Sequence, residues 1–387
     1  MDPEEMSSFP ETLERLEAEI EEGLFTRGAQ VCVSVGDEVV LDIALGEDGL
    51  GRPMRVDTLF RVYCTIKPVT ALAVANLVDA GLIDLDQPLS ETLPSVEAVR
   101  GGVTARHILN HTAGLHLMSG VTLEMVPPDK RDAFFDRQQR APGWKVGLDA
   151  GYSEIFGWSL LGRLIETITE EPLRVHLRQS VLDPLGMFQT SIGLDAADFA
   201  AERDRLGVNV DLRGWRAFPL LFERTERVRC ETNCAHGGYT TAEDLDRLYR
   251  ALLRRLAGED VAGLPRQRTL EEFTSAARPR TFDVVLDREC DYGLGFMTDL
   301  EDHRFGSECS PRSFGHSGNV GSSYAFADPE RELSVAVVFN GIVDPDSSFF
   351  RRPALTRAIY ADLALDREPE PAEAPKRGGL FRRRKSA

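Results

Sequence analysis

The chain has 387 residues, of which 42% are hydrophobic, and a formal net charge of −18 at pH 7. This length supports one large unit or two interleaved units around a real core, and the negative charge argues against nucleic-acid binding. Membrane insertion is not expected, because no apolar run approaches the roughly 18 residues that a spanning helix needs. The acidic start of the chain lacks the basic and apolar regions of a secretory signal, which predicts a cytoplasmic protein with reduced cysteines.

Regular elements are predicted most clearly near the two ends of the chain, where hydrophobic residues recur with helical or strand periodicity. They are, in chain order, an amphipathic helix at 11–24, a hairpin of strands at 30–35 and 38–44, a second hairpin of strands at 324–327 and 333–340, and a closing helix at 353–365. The sequence between the ends is mostly helix and loop, with helices predicted at 104–115, at 158–169 and from Thr241 onwards.

This distribution predicts the α+β class, with an antiparallel sheet made from both ends of the chain. We expect the α/β part to comprise about 11–67 and 282–366, with a helical insertion at about 68–281, all within one catalytic unit at 1–366. Residues 367–387 form a basic tail after a Pro/Glu/Ala run, which predicts a disordered segment. The alternative is a docking peptide for an acidic partner or a membrane.

The most informative local pattern is Cys64 followed three positions later by Lys67, at the start of a predicted helix. Residues with this spacing lie on the same face of a helix, one turn apart. A helix N-terminus and a neighbouring ammonium both favour the thiolate over the thiol, so Cys64 is a candidate nucleophile. The alternative is an inert buried cysteine, a common core residue.

Seven further segments of the chain have sequences that are informative when they are considered together and in order. They are residues 57–63, 77–89, 104–115, 151–154, 237–245, 292–296 and 316–318. Together with the Cys64–Lys67 box, they resemble the class C β-lactamase, D-alanyl-D-alanine carboxypeptidase and esterase group, whose box is Ser-x-x-Lys. The resemblance implies a β-lactamase/transpeptidase-like fold, an antiparallel sheet flanked by helices with an inserted all-helical lobe, and no cofactor or metal.

The resemblance also implies roles for particular residues. Cys64 stands where the family has its nucleophilic serine, Lys67 and Tyr152 are the proton-handling pair, and His316 opens the third catalytic box. The family's oxyanion hole corresponds to the backbone N–H groups of Cys64 and Asn319.

The strand that carries Ser317 and Gly318 is expected to pair with the substrate. Glu154 replaces the Asn of the family's Tyr-x-Asn box. An ionised Glu cannot donate a hydrogen bond, but it can accept one from an ammonium or act as a base. The alternative for Glu154 is a surface carboxylate turned away from the site. His236 precedes a glycine pair that in the family lies beside the cleft, so it is expected to face the substrate.

Cys230, Cys234 and His236 are spaced so that they could also hold a metal, with Cys290 or Cys309 as a fourth ligand. We do not expect a metal, because structural zinc sites have tighter paired spacings and the family uses none.

A cysteine nucleophile forms a thioester, which reacts with amines more readily, relative to water, than an oxygen ester does. The sequence therefore predicts acyl transfer from a small-molecule or peptide ester or amide to an amine acceptor in a biosynthetic pathway. The first alternative is hydrolysis of a small ester or amide by the same residues. The second is a catalytically inactive binding protein that retains the fold.

Overall fold

The structure, a computed structural model, describes residues 7–118 and 126–365. The predicted basic tail at 367–387 lies outside these residues. The strands, in chain order, are β1 (Gly28–Val35), β2 (Glu38–Gly46), β3 (Phe60–Arg61), β4 (Ser191–Ile192), β5 (Val210–Asp211), β6 (Phe218–Pro219), β7 (Gly238–Thr240), β8 (Arg278–Asp283), β9 (Arg288–Tyr292), β10 (Met297–Thr298), β11 (Phe314–Ser317), β12 (Ser323–Asp328), β13 (Leu333–Phe339) and β14 (Gly341–Ile342).

The α-helices of the described residues are, in chain order, α1 (Pro10–Glu22), α2 (Lys67–Asp79), α3 (Ala105–Leu109), α4 (Arg131–Asp136), α5 (Phe156–Thr169), α6 (Leu173–Leu177), α7 (Ala196–Glu202), α8 (Glu226–Arg229), α9 (Ala242–Leu256), α10 (Gln267–Thr274) and α11 (Pro345–Asp362). Among the described residues, no helix is both long and apolar enough to cross a membrane.

An eight-stranded sheet forms the centre of the molecule, with strand order β2-β1-β13-β12-β11-β10-β9-β8. Every neighbouring pair in it is antiparallel. The two predicted hairpins are confirmed as β1–β2 and β12–β13, and pairing between β1 and β13 joins the two ends of the chain. This is the β-lactamase-like α+β arrangement that the sequence predicts.

Both faces of the sheet are buried, so its central strands are apolar on both sides. Side chains alternate between the faces of a strand, and in β1 Val31 and Val33 belong to a different core cluster from Cys32. On one face, α9 is joined to the sheet by Asp246, which accepts hydrogen bonds from Ser34 and Ser334.

The terminal helices α1 and α11 pack together against the other face. Their junction is polar as well as apolar, because the Asp362 carboxylate at the end of α11 accepts hydrogen bonds from the backbone N–H groups of Glu11 and Thr12. These groups lie in the first turn of α1, where backbone donors lack helical partners and a negative charge is favourable. The C-terminal helix thus stabilises the N-terminal one.

The insertion between the two parts of the sheet differs from its prediction as an all-helical lobe. It contains the short strands β4 to β7, and β8 begins at Arg278, before the expected boundary at 281. Helix α9 also lies within 68–281 but packs against the main sheet. Hydrophobic periodicity does not detect strands of two or three residues. Strand β8 was not predicted because it contains Pro279, a residue that is tolerated there since β8 lies at the edge of the sheet.

Two helices differ from the sequence prediction by more than two residues. Helix α11 begins at Pro345 rather than at 353, because Asp344 caps it by accepting from the Ser347 N–H, and Pro353 lies inside it. The helix predicted at 104–115 is only α3, capped by Thr104. It ends before His111, whose backbone is left-handed with φ of 61°.

Candidate active site

The proposed nucleophile lies on a tight turn between β3 and α2. Residues Tyr63–Ile66 form a 3₁₀ turn that continues directly into the helix at Lys67. Cys64 is 8% exposed, so its sulfur lies in a largely dry environment. Helix α2 is buried along most of its length, and it therefore holds the turn on a fixed support.

Lys67 makes three polar contacts, and all of them are short. Its Nζ lies 3.1 Å from Cys64 Sγ, 2.8 Å from the Glu154 carbonyl oxygen and 2.7 Å from the Ala235 carbonyl oxygen. The side chain is fully buried and passes near the rings of Tyr152 and Trp158. The sulfur and two backbone carbonyls thus occupy the three positions to which an ammonium can donate.

This arrangement fits both protonation states of the Cys64–Lys67 pair. The two carbonyls can only accept, so each fixes one hydrogen of the amine. The remaining position on nitrogen faces sulfur, as an N–H when Lys67 is charged and as a lone pair when it is neutral. A proton can therefore move between sulfur and nitrogen without any rotation of the side chain.

Tyr152 completes the environment of the sulfur. Burial raises the pKa of Tyr152 well above its usual value near 10, and the charge of Cys64 and a hydrogen bond between the two side chains raise it further. Tyr152 is therefore a neutral phenol at physiological pH, and its hydroxyl can donate a hydrogen bond. The Tyr152 ring packs against His111 with the ring planes tilted by 42° and the centroids 4.5 Å apart. The Tyr152 backbone N–H donates to the carboxylate of Asp283 at 3.0 Å.

Strand β11 ends against the nucleophile turn. A Cβ atom on Gly318 would lie 2.4 Å from the Val62 carbonyl oxygen and 2.4 Å from Ser323 Oγ, so only glycine allows this approach. Ser323 donates from Oγ to the Val62 carbonyl at 2.7 Å and ties β12 to the same turn. Ser317 is half-buried and Asn319 is exposed. The predicted substrate strand therefore lies beside Cys64.

His316 lies beneath the site, with its ring fully buried. Nδ1 lies 3.0 Å from the Ser317 carbonyl oxygen, which can only accept, so Nδ1 carries the proton. Nε2 then accepts from the Tyr292 hydroxyl at 3.0 Å. Burial, with the nearby charge of Lys67, holds the pKa of His316 well below 6.5. The ring is neutral and supports Tyr152, whose ring centroid lies 6.2 Å away.

Glu154 contributes to the site through its backbone carbonyl and through its charge. Its backbone carbonyl holds Lys67, and its negative charge contributes to the raised pKa of Tyr152. The side chain is half-buried, and the described part of the chain gives its carboxylate no hydrogen-bond or ion-pair partner. An acceptor without a partner at this position is available to a substrate.

His236 differs from its expected place facing the substrate. The ring is buried, with Nδ1 2.6 Å from Arg61 Nη2 and Nε2 3.1 Å from the Asn233 amide. The residue before it is the one that reaches the site, because the Ala235 carbonyl accepts from Lys67.

The considered metal cluster is not assembled. Cys234 contacts the Trp158 carbonyl and Cys290 contacts Arg278, and no group of three or more potential ligands occurs within 7–118 and 126–365.

Two residues of the site have no strong signal in the sequence. Tyr292 begins the segment 292–296, and its hydroxyl fixes His316. Tyr63 ends the segment 57–63, and its hydroxyl donates to Glu223, 160 positions away, at 2.5 Å. Only the side-chain type, a phenol next to the nucleophile, could have indicated a partner.

Comparison with known proteins agrees with this architecture. The family model described as Beta-lactamase matches residues 13–358. The chain is 26% identical over 348 residues to Esterase/beta-lactamase LipL of Mycobacterium tuberculosis, covering 82% of this chain and 78% of that protein. It is 27% identical over 159 residues to Monacolin J acid methylbutanoyltransferase of Aspergillus terreus, covering 35% and 38%.

Among solved structures, a penicillin-binding protein homolog from Caulobacter crescentus matches with a TM-score of 0.74 and 27% identity, covering 92% of this chain and 97% of that one. The family match spans most of the chain and contains the whole site from Cys64 to Asn319. The chain therefore belongs to the β-lactamase family, as an enzyme of hydrolase or acyltransferase type.

Proposed function

We propose that the protein is an acyltransferase that forms a thioester on Cys64 and passes the acyl group to an amine. The observation that carries this proposal is the contact between Lys67 Nζ and Cys64 Sγ at 3.1 Å, with the other two positions on nitrogen held by carbonyls. An ammonium fixed in this way stabilises a thiolate and cannot turn away from it. The donor is an ester, amide or thioester of a small molecule or peptide.

The first half-reaction begins with attack of the Cys64 thiolate on the acyl carbonyl carbon. The carbonyl electron pair moves to oxygen, and the backbone N–H groups of Cys64 and Asn319 would stabilise the resulting oxyanion. The pair then returns, the bond to the leaving group breaks, and the leaving group takes a proton from Tyr152 or Lys67. The raised pKa of Tyr152 suits this role, because it keeps the hydroxyl protonated until the leaving group becomes basic.

The second half-reaction is attack of an amine on the thioester. The amine loses a proton to the group that gave one up in the first step, and the thiolate leaves as the amide forms. The free carboxylate of Glu154 is available to bind a cationic acceptor or to take its proton. The similarity to an acyltransferase over part of the chain supports transfer, and the similarity to an esterase supports hydrolysis as the alternative.

Intact-protein mass spectrometry tests the first half-reaction. The wild-type chain is exposed to a panel of activated esters beside Cys64→Ser and Cys64→Ala. We expect an increase equal to one acyl group on the wild type, lost on treatment with hydroxylamine at neutral pH, and none on Cys64→Ala. Absence of any adduct on the wild type would favour the inactive binding protein instead.

Partition of the acyl-enzyme tests the second half-reaction. The acyl-enzyme reacts either with water, which gives the free acid, or with an amine, which gives the amide. The ratio of amide to acid is measured with candidate amines at millimolar concentration. We expect amide to exceed acid for the wild type and the reverse for Cys64→Ser. Excess acid from the wild type with every amine would assign the protein as a hydrolase.

A further inference from the structure

Tyr63, the residue immediately before the proposed nucleophile, has a left-handed backbone. Its φ is 49°, a region that bulky side chains rarely occupy. Such a conformation persists only where surrounding contacts impose it. The neighbouring turn is tight, since the Thr65 N–H donates to the Val62 carbonyl at 3.2 Å.

The backbone of Tyr63 controls a group that the proposed reaction needs. The peptide bond between Tyr63 and Cys64 is planar, so the torsions of Tyr63 set the direction of the Cys64 N–H. That N–H is one of the two proposed oxyanion donors. A relaxed Tyr63 would turn the donor away from the acyl oxygen.

A buried carboxylate holds Tyr63 in place. The Tyr63 hydroxyl donates to Glu223 Oε1 at 2.5 Å, and Glu223 is fully buried. The Asn209 backbone N–H and side-chain amide donate to Glu223 Oε2 at 2.9 and 3.0 Å. The same Asn209 amide donates to the Arg61 carbonyl at 3.1 Å. This closes a ring of contacts from strand β3 through Asn209 and Glu223 back to Tyr63, two residues further on.

We propose that Glu223 is a positioning residue that, through Tyr63, aims the Cys64 N–H at the acyl oxygen. The inference rests on the proposed acylation of Cys64. It predicts that loss of the Tyr63–Glu223 hydrogen bond weakens oxyanion stabilisation while the thiolate remains reactive, because Lys67 and Tyr152 are not part of the ring of contacts.

Two reagents separate these effects. An activated ester needs both the thiolate and the oxyanion donors, whereas iodoacetamide needs only the thiolate, because displacement at its carbon develops no oxyanion. The second-order rate constants of both reactions at Cys64 are measured by mass spectrometry for wild type, Tyr63→Phe and Glu223→Gln. Tyr239→Phe is the matched control, because that buried hydroxyl donates to the Glu223 backbone carbonyl rather than to its carboxylate.

We expect the ratio of acylation to alkylation to fall about tenfold in Tyr63→Phe and in Glu223→Gln, a part of the loss that follows removal of an oxyanion donor. The double variant should be no worse than either single one, and Tyr239→Phe should keep the wild-type ratio. Folding of each variant is checked by thermal melting. If Glu223→Gln does not fold, the result for Tyr63→Phe decides the test.

An unchanged ratio in Tyr63→Phe, with wild-type acylation intact, would overturn this inference alone. An equal loss in Tyr239→Phe would also overturn it, because general loosening would then explain the effect. A wild type that is alkylated but never acylated would overturn both the inference and the proposed function.

Discussion

Two regions of the molecule differ in burial and in polar contacts. One is the floor of the site, which consists of Cys64, Lys67, Tyr152 and His316. The other is the outer segment, residues 213–222. The four floor residues are buried, and their side-chain polar groups contact one another, backbone carbonyls or Tyr292. The outer segment exposes large apolar side chains, with Trp215 89% and Phe218 69% accessible. The two regions meet at Glu223, which directly follows the outer segment and holds Tyr63.

The difference shows where folding free energy is concentrated. Buried apolar area and satisfied polar contacts stabilise the floor and leave it one arrangement. The outer segment contributes little of either, so its sequence can change without loss of the fold. The arrangement of the floor is thus fixed by dense packing, whereas the outer segment tolerates substitution.

Two tryptophans give the largest contrast in stability. Trp158 is fully buried beneath Lys67, and Trp215 is almost fully exposed. We expect Trp158→Ala to lower the free energy of unfolding by about 4 kcal/mol and Trp215→Ala to change it by less than about 0.5 kcal/mol. Urea titration followed by circular dichroism measures both. Similar losses in the two variants would contradict the division into floor and outer segment.

Removal of the ammonium from the floor should have the largest effect on reactivity. Lys67→Met keeps an unbranched side chain but removes the proton partner of Cys64. We expect acylation by an activated ester to slow by about 10²- to 10³-fold, and alkylation by iodoacetamide to slow with it. Lys145→Met, an exposed lysine, is the control and should react as the wild type does. A Lys67→Met variant with near-normal alkylation would show that the thiolate does not depend on this contact.

Acid should destabilise the floor but not the outer segment, which contains no histidine. Burial holds the pKa values of His316, in the floor, and of His111, which packs against Tyr152, well below 6.5. Below pH 6.5 the unfolded chain therefore binds protons that the folded chain does not. The free energy of unfolding consequently decreases as the pH is lowered. Each such histidine contributes a loss of about 1.4 kcal/mol per pH unit.

The variant His316→Gln is neutral at every pH and should show a shallower loss than the wild type between pH 6.5 and 5, measured by urea titration. The difference between the two chains removes the contribution of carboxylates that they share. Equal slopes would show that His316 does not remain neutral in the folded state.

Local patterns in the sequence were sufficient to predict the main elements and the contact between Cys64 and Lys67. Hairpins and helix starts depend on residues close in the chain, so β1–β2, β12–β13 and the start of a helix at Thr241 were predicted correctly. The spacing of Cys64 and Lys67 likewise follows from the geometry of one helical turn.

Contacts between distant segments could not be predicted in this way. The carbonyls that hold Lys67 come from residues 87 and 168 positions away, and backbone carbonyls carry no sequence signal. His236 was expected at the substrate, but its orientation depends on Arg61, 175 positions earlier. The left-handed backbone of Tyr63 also has no signature, because residues in that region are usually glycine or asparagine.

Glu154 has a half-buried side chain, and its substitution should have the smallest effect of the set. Glu154→Gln retains the backbone carbonyl that holds Lys67, so acylation of Cys64 should stay within about threefold of the wild type. The exchange removes a charge that the acceptor would use, together with one contribution to the raised pKa of Tyr152. We therefore expect the amide-to-acid product ratio to fall for cationic acceptors such as diamines, and to change little for an acceptor amine that carries no second charge.

The two acceptors form an internal control, because any general damage to the site would lower both ratios together. The product ratio is measured at constant donor concentration by chromatography of the free acid and the amide. A selective loss with the diamine would assign Glu154 to the acceptor. Equal ratios for the variant and the wild type with both amines would place its carboxylate outside the reaction, and its contribution would then be limited to the backbone oxygen that holds Lys67.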